Sequence, residues 1–325
     1  MSHPYDRLSP DLILDAIESV GFEVNGSLLP LNSYENRVLQ IGLEEQPPII
    51  AKFYRPERWS DEAILEDHAY SLELAEQEIP VVPPLLGADR QTLFAYQGFR
   101  FSLYRRQGGR SPNLEDPDHL EWIGRFLGRI HAVGASRPFA HRETLSVDGL
   151  GRQSLAWLRA SGMLPLETAN AYLTLCEELL NRIDDIFDRY DFKQLRLHGD
   201  CHPGNILWTD QGPHFVDMDD CRNGPAIQDV WMLLSGSRQD MTLQLSELIE
   251  GYQLFHDFDT RELALIEPLR TLRLIHYSTW LARRWDDPAF PKAFPWFNTS
   301  AYWQEQLTIL EQQKVLLDQP PLMVF

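Results

Sequence analysis

Apolar positions in DLILDAIESV (residues 11–20) fall at Leu12, Ile13, Leu14, Ile17 and Val20, the spacing of one helical face, and Pro10 precedes them. A first helix is expected there. After Gly21 the pattern changes to short extended runs around Leu28 to Leu31, Arg37 to Ile41 and Ile49 to Tyr54, separated by Gly, Asn and Pro. These predict a small antiparallel sheet. Ser60 stands where an N-cap would, Asp61 and Glu62 follow in the first turn, and apolar residues at Ile64, Leu65, Ala69, Leu72 and Leu74 carry a helix to about Gln77. That helix is expected to pack on the sheet. Pro80, Pro83 and Pro84 end it, and two more strands are read at Thr92 to Tyr96 and Phe99 to Tyr104, around Gln97-Gly98.

From Arg105 to Asp116 the chain turns polar and glycine-rich (RRQGGRSPNLED), and beyond it helical periodicity dominates, as in His119 to Val133, Leu166 to Ile186 and Arg261 to Ala282. The change places a boundary near this stretch, with one lobe over residues 1–104 and the other over 105–325. A chain of 325 residues exceeds one ordinary domain of roughly 100 to 200 residues, so two lobes are expected on length as well. No repeat at a fixed period is visible.

The charge of -19 argues against a surface built to neutralise a phosphate backbone, so nucleic acid is not an expected partner. It gives a weak preference for basic or neutral protein partners over acidic ones. The N-terminal residues lack a basic start followed by an apolar block, and no later stretch reaches the roughly 18 to 20 apolar residues of a bilayer span. No membrane partner and a cytoplasmic location are expected. Three cysteines, Cys176, Cys201 and Cys221, are an odd, sparse set that suits free thiols in a reducing compartment.

Chemistry concentrates in LHGDCHPGNIL (residues 197–207), followed after the turn TDQGP by HFVDMDD (residues 214–220). Phosphoryl transfer requires a carboxylate to orient the attacking hydroxyl and oxygen ligands to hold magnesium across the phosphates. Asp200 supplies the catalytic base, Asn205 a metal ligand five residues later, and Asp217, at the end of the second strand, a carboxylate that is both catalytic and metal-binding. His198, Cys201, His202 and Cys221 bring soft ligands into the same region, but their spacing is not the paired pattern of a zinc site.

The His-x-Asp-x-x-x-x-Asn run with its later aspartate resembles the catalytic and metal motifs of the aminoglycoside phosphotransferase and choline kinase branch of the protein-kinase-like fold. Gly199 in place of the Arg of His-Arg-Asp, Met218 and Asp219 in place of Phe-Gly, and the lack of Ala-Pro-Glu go with that branch. PAIQDVWMLL (residues 225–234) is similar to the helix start whose aspartate, here Asp229, braces the catalytic loop from below. IIAKF (residues 49–53) looks like the strand whose lysine grips the nucleotide's phosphates, which makes Lys52 the candidate, and Glu66 on the next helix is its best-placed partner, ahead of Glu62 and Asp67. No glycine-rich loop stands between the first two strands. LNSYENR (residues 31–37) holds Ser33, Tyr34 and Asn36 instead, and Ser33 is the expected phosphate contact.

PLNSYENRV, KFYRPERW, RLHGDCHPGNILW, VDMDDCRNGPAIQDVWMLL and RRWDDPAFPKAFPW resemble the bacterial stress response kinase A (YihE protein kinase) family over nearly the whole chain. The resemblance implies an α+β, protein-kinase-like bilobal fold, with a small antiparallel-sheet N-terminal lobe and a larger, mainly helical C-terminal lobe. It implies an ATP- and Mg2+-dependent Ser/Thr protein kinase of a stress response, acting on protein and on its own chain, with Ser33, Asp200, Asn205 and Asp217 at nucleotide, base and metal positions. The alternative within the same fold is a kinase of amino alcohols, sugars or aminoglycosides. The aromatic-rich segment from Tyr277 to Phe297 is expected to be mostly core, part of it facing the acceptor.

Overall fold

The computed structural model describes residues 5–324. Helix α1 (Pro10–Glu18) is capped by Ser9, whose hydroxyl accepts from the Leu12 amide, and it buries Ile13, Ala16 and Ile17. Five strands follow: β1 (Val24–Pro30), β2 (Arg37–Leu43), β3 (Ile49–Phe53), β4 (Phe94–Tyr96) and β5 (Phe99–Arg105). They form one antiparallel sheet in the order β1-β2-β3-β5-β4. At the β4–β5 turn Gln97 and Gly98 both have positive φ, 46° and 88°, which matches the twist of a tight hairpin. The sheet and α1 share a core of Ile17, Ile41, Ala51, Phe53, Phe101 and Leu103.

Helix α2 (Asp61–Glu76) begins as the sequence suggests, with the Ser60 hydroxyl accepting from the Ala63 amide at 3.2 Å. Its packing differs from expectation. Tyr70 and Leu74 belong to the core of the helical lobe, and the Tyr70 hydroxyl donates to the carbonyls of Ile130 and Arg196. Toward the sheet α2 presents His68, bonded to Tyr54 and Thr92 at 2.8 Å each. A polar residue on the sheet side and apolar ones on the other make α2 a bridge between the lobes rather than a lid on the sheet.

The C-terminal lobe holds α3 (Pro117–Gly134), α4 (Gln153–Ser161), α5 (Leu166–Phe187), α6 (Ile227–Trp231), α7 (Arg238–Gln253), α8 (Ile266–Arg283), α9 (Ala289–Ala293) and α10 (Ser300–Leu316). The single helix read over Arg261 to Ala282 is split: Thr260–Leu265 winds as a 3-10 helix before α8. Pro268 has no N–H to donate to the preceding turn, so an unbroken α-helix through it would lose a hydrogen bond. Helices α3 and α7 touch backbone to backbone: a Cβ on Gly124 would lie 2.0 Å from the Leu248 carbonyl oxygen, and one on Gly251 would lie 2.2 Å from that of Glu121. Two short antiparallel pairs frame the loop between the lobes: β6 (Leu195–Leu197) with β9 (Arg222–Gly224), and β7 (Ile206–Thr209) with β8 (Gly212–Phe215). Phe290 and Phe297 are buried with Tyr172 and Trp303, while Tyr277 and Trp296 remain exposed.

Candidate active site

The loop from His198 to Asn205 leaves β6 and returns into β7. Its start is fixed from below by Asp229 of α6, fully buried, which accepts from the amides of His198 and Gly199 at 2.8 Å each and from His131 Nε2 at 3.0 Å. Burial alone would raise the Asp229 pKa; the His131 hydrogen bond, the histidine charges and the Gly199 amide outweigh it and hold the carboxylate below its ordinary range. Gln228 of the same helix donates to the Gly199 carbonyl at 3.0 Å. Glycine is required at 199 because φ is +84° and a Cβ would lie 2.1 Å from the Asp220 carbonyl oxygen. His198 donates through Nε2 to the Val216 carbonyl at 2.9 Å, which explains it as a loop brace.

These contacts leave Asp200 half-buried at the cleft, with Oδ1 accepting from Arg273 of α8 at 2.7 Å and Oδ2 lying 3.6 Å from His202 Nε2. Asn205 donates through Nδ2 to the Asp200 carbonyl at 3.0 Å, which leaves its Oδ1 as the amide's acceptor. Asp217 ends the chain's path out of β8 in the left-handed region, φ 63° and ψ 63°, and half its side chain is exposed. An aspartate tolerates that conformation better than most residues. It is held by Lys52 of β3, whose ammonium donates to Asp217 and Asp219 at 2.8 Å each. Burial alone would lower the Lys52 pKa, but the charges of those two aspartates overcome it and hold it well above the ordinary lysine value.

The expected Lys52–Glu66 pair is not made. Glu66 accepts instead from the backbone amides of Ala140, His141 and Arg142 at 2.6, 2.7 and 3.0 Å, tying α2 to the segment after α3. One residue along the helix, Asp67 faces inward, 3.5 Å from Arg142, and burial pushes its pKa up to about 6 against the pull of Arg142. A helix turns by about 100° per residue, so choosing between neighbouring acids from sequence selects the wrong face easily. Besides Asp217, Lys52 pairs with Asp219, which stood in the sequence as one of three acids in VDMDD, without a local signal to separate it from Asp220. Asp220 is spoken for by Arg58 at 2.7 Å and Arg222 at 3.3 Å.

Ser33 lies at the β1–β2 turn, where its hydroxyl donates to the Asn36 carbonyl at 3.2 Å. The rest of that turn reaches across the cleft. Asn36 donates to Asp219; Glu35 accepts from Trp280 Nε1 at 2.7 Å and Arg284 at 2.8 Å; Tyr34 sits 4.8 Å from the Phe294 ring. Arg55, just after β3, pairs with Asp287 at 2.7 Å. Arg284, Asp287 and Phe294 fall within RRWDDPAFPKAFPW, a stretch that the resemblance covers, but nothing in that stretch tells which residue of the N-terminal lobe each one meets.

A family model for the phosphotransferase enzyme family matches residues 27–266. Stress response kinase A of Escherichia coli (strain K12) is 46% identical over 319 residues, which is 98% of this chain and 96% of that protein. The serine/threonine protein kinase RdoA of Salmonella typhimurium (strain LT2) is 46% identical over 318 residues, with the same coverage. Among solved structures, an amicoumacin kinase in complex with AMP-PNP, Ca2+ and Ami superposes with a TM-score of 0.74 at 17% identity, covering 97% of this chain and 96% of the other. A microcompartment-associated aminopropanol kinase gives 0.72 at 17% identity, over 95% of this chain and 97% of that one. Identity that low carries the fold alone, whereas the near-full-length relatives and the family model carry more: this chain is a kinase of the phosphotransferase enzyme family, and within it belongs to the stress response kinase A family.

Proposed function

We propose that this protein is an ATP- and Mg2+-dependent Ser/Thr protein kinase of the bacterial cytoplasm, acting in a stress response on other proteins and on its own chain. The observation that carries the phosphotransfer reading is one constellation: Asp200 and Asn205 on a single braced loop, facing Asp217 held by Lys52. Residues 1–104 form the nucleotide lobe in this reading and 105–325 the catalytic and acceptor lobe. The Ser/Thr acceptor is supported by near-full-length identity with a relative of that name.

The donor set fits magnesium. Asn205 Oδ1 and the Asp217 carboxylate are hard oxygen donors. Magnesium typically takes one or two protein carboxylates and completes its shell with phosphate and water. Asn205 and Asp217 would hold it, and it would supply neutralisation of the charge that develops on the transferred phosphoryl group. Asp200 orients the acceptor hydroxyl and takes its proton as that oxygen bonds to the γ-phosphorus and the bond to the departing ADP breaks. Lys52 grips the phosphates, with Asp217 and Asp219 as its resting partners, and Ser33 at the β1–β2 turn contacts them from above.

Purified protein given Mg2+ and labelled ATP is expected to place acid-stable phosphate on Ser or Thr, in itself or in a second protein, and the Asp200→Asn protein is expected to place none. The names of the structural neighbours support a second reading, a small-molecule kinase. Efficient labelling of an amino alcohol, sugar or aminoglycoside with no labelled protein would establish it.

A further inference from the structure

Arg273 is the only guanidinium among the described residues that is bonded to the proposed base, and that base carboxylate is its only ion-pair partner. The other arginines around the cleft are committed elsewhere: Arg222 and Arg58 to Asp220, Arg284 to Glu35, Arg55 to Asp287. Between Asp200 and Asn205 the loop supplies Cys201, His202, Pro203 and Gly204, none a permanent cation. Burial lowers the pKa of His276 on α8 to about 4, so that imidazole is neutral near pH 7.

Arg273, Tyr277 and Trp280 recur at helical spacing along one face of α8, and Arg284, just past its end, continues that face toward the β1–β2 turn. The Arg273 side chain is 42% exposed, so it can leave Asp200 for a partner arriving from solvent. An acceptor bearing an ammonium group beside its hydroxyl would meet that arginine, and the carboxylate at the far end of the face, Glu35, is already held by Arg284 and Trp280.

We propose that Arg273 selects the acceptor, and that the preferred acceptor is a Ser or Thr hydroxyl with an Asp or Glu side chain within two residues of it. This rests on the protein-kinase reading above. The carboxylate of such a segment draws the guanidinium off Asp200 Oδ1, and the base is thereby freed to accept the hydroxyl's proton at hydrogen-bond range. In an extended segment, side chains two residues apart lie on one side about 7 Å from each other, a span that a base and the arginine beside it can share. The overall charge of -19 points to basic partners, but it is spread over the surface and screened, whereas contact specificity is decided by the charge at the base.

The test uses the full chain with Mg-ATP and peptides that share one serine and differ only in flanking Asp, Lys or Ala. Wild type is expected to favour the Asp peptide over the Lys peptide by roughly tenfold or more in kcat/KM, the worth of one charged hydrogen bond. Arg273→Gln is expected to bring that ratio close to unity and Arg273→Lys to restore most of it. Affinity for an Asp peptide with Ala in place of the serine, which needs no turnover, should fall in Arg273→Gln in parallel. A wild-type preference for the Lys peptide, or a ratio unchanged by Arg273→Gln, overturns the selection while leaving a protein kinase. Labelling of an amino alcohol but of no peptide overturns both readings together.

Discussion

The catalytic loop and the β1–β2 turn face each other across one cleft, yet they are held in opposite ways. The loop takes its main brace from Asp229, 30 residues beyond Gly199, and its glycine and histidine are fixed by neighbours at Val216 and Asp220. On the other side, Lys52 depends on a group 165 residues away, Asn36 on one 183 away and Glu35 on one 249 away. A site braced locally is rigid whenever its own lobe is folded. A site braced across the cleft depends on how the lobes meet, which suits a region that must admit and release a nucleotide. Mutations should therefore separate the two sides: loop mutants should lose chemistry or the fold, and turn mutants should lose nucleotide positioning.

The largest effects are expected in the loop and at Asp217 beside it. Asp217→Ala should cut turnover on the order of 10³-fold, several kcal/mol of charge stabilisation, with a near-normal melting curve because the side chain is half exposed. Asp200→Asn should lose roughly 10² to 10⁴-fold in kcat while keeping nucleotide affinity, measurable by titration with a fluorescent ATP analogue. Asp229→Ala should act on the same loop through stability, since it leaves His131 and two buried amides without their acceptor; a loss of about 3 to 5 kcal/mol in denaturant melts is expected. An active, stable Asp229→Ala protein would remove the contrast between the two sides.

Across the cleft, Lys52→Ala should cost about 1.5 to 3 kcal/mol of transition-state stabilisation, one charged hydrogen bond, read as kcat/KM for ATP. Its coupling identifies the partner. Lys52→Ala combined with Asp219→Asn should be less impaired than the sum of the singles, whereas Lys52→Ala with Glu66→Ala should be additive within about 0.5 kcal/mol. Glu66→Ala alone should instead loosen residues 140–142, seen as faster amide exchange there. Strong coupling between Lys52 and Glu66 would mean that the lysine changes partners during turnover.

An effect on stability alone is expected at Glu262, whose carboxylate accepts from the Ile227 amide at the start of α6. Burial pushes its pKa up to about 7 from an ordinary 4.5, so between those values the folded protein binds more protons than the unfolded chain. Stability contributed by the protonated form is complete below about pH 4.5 and is lost as pH rises through about 7, on the order of 3 kcal/mol at most. Glu262→Gln should flatten that decline, and chemical melts at pH 5 and pH 8 would show whether it does.

Local patterns in the sequence determined a good deal of this protein. The helix cap at Ser60, the five strands of the first sheet, and the order of strand, loop and hairpin around Asp200 are each written within about a dozen residues, because propensity, periodicity and turn chemistry act over that range. Asp229 was legible as well, since its distance along the chain from the loop is short and its motif intact. The fold decided the rest. It turned Glu66 toward residues 140–142 and gave Lys52 to Asp219, packed the apolar end of α2 into the opposite lobe, brought Glu35 to Arg284 and set Arg273 on Asp200. Those partners lie tens to hundreds of residues apart and carry ordinary charges, and which of many acids meets which of many bases is settled by the direction each side chain points once helices and sheet are packed, a quantity that no stretch of sequence contains.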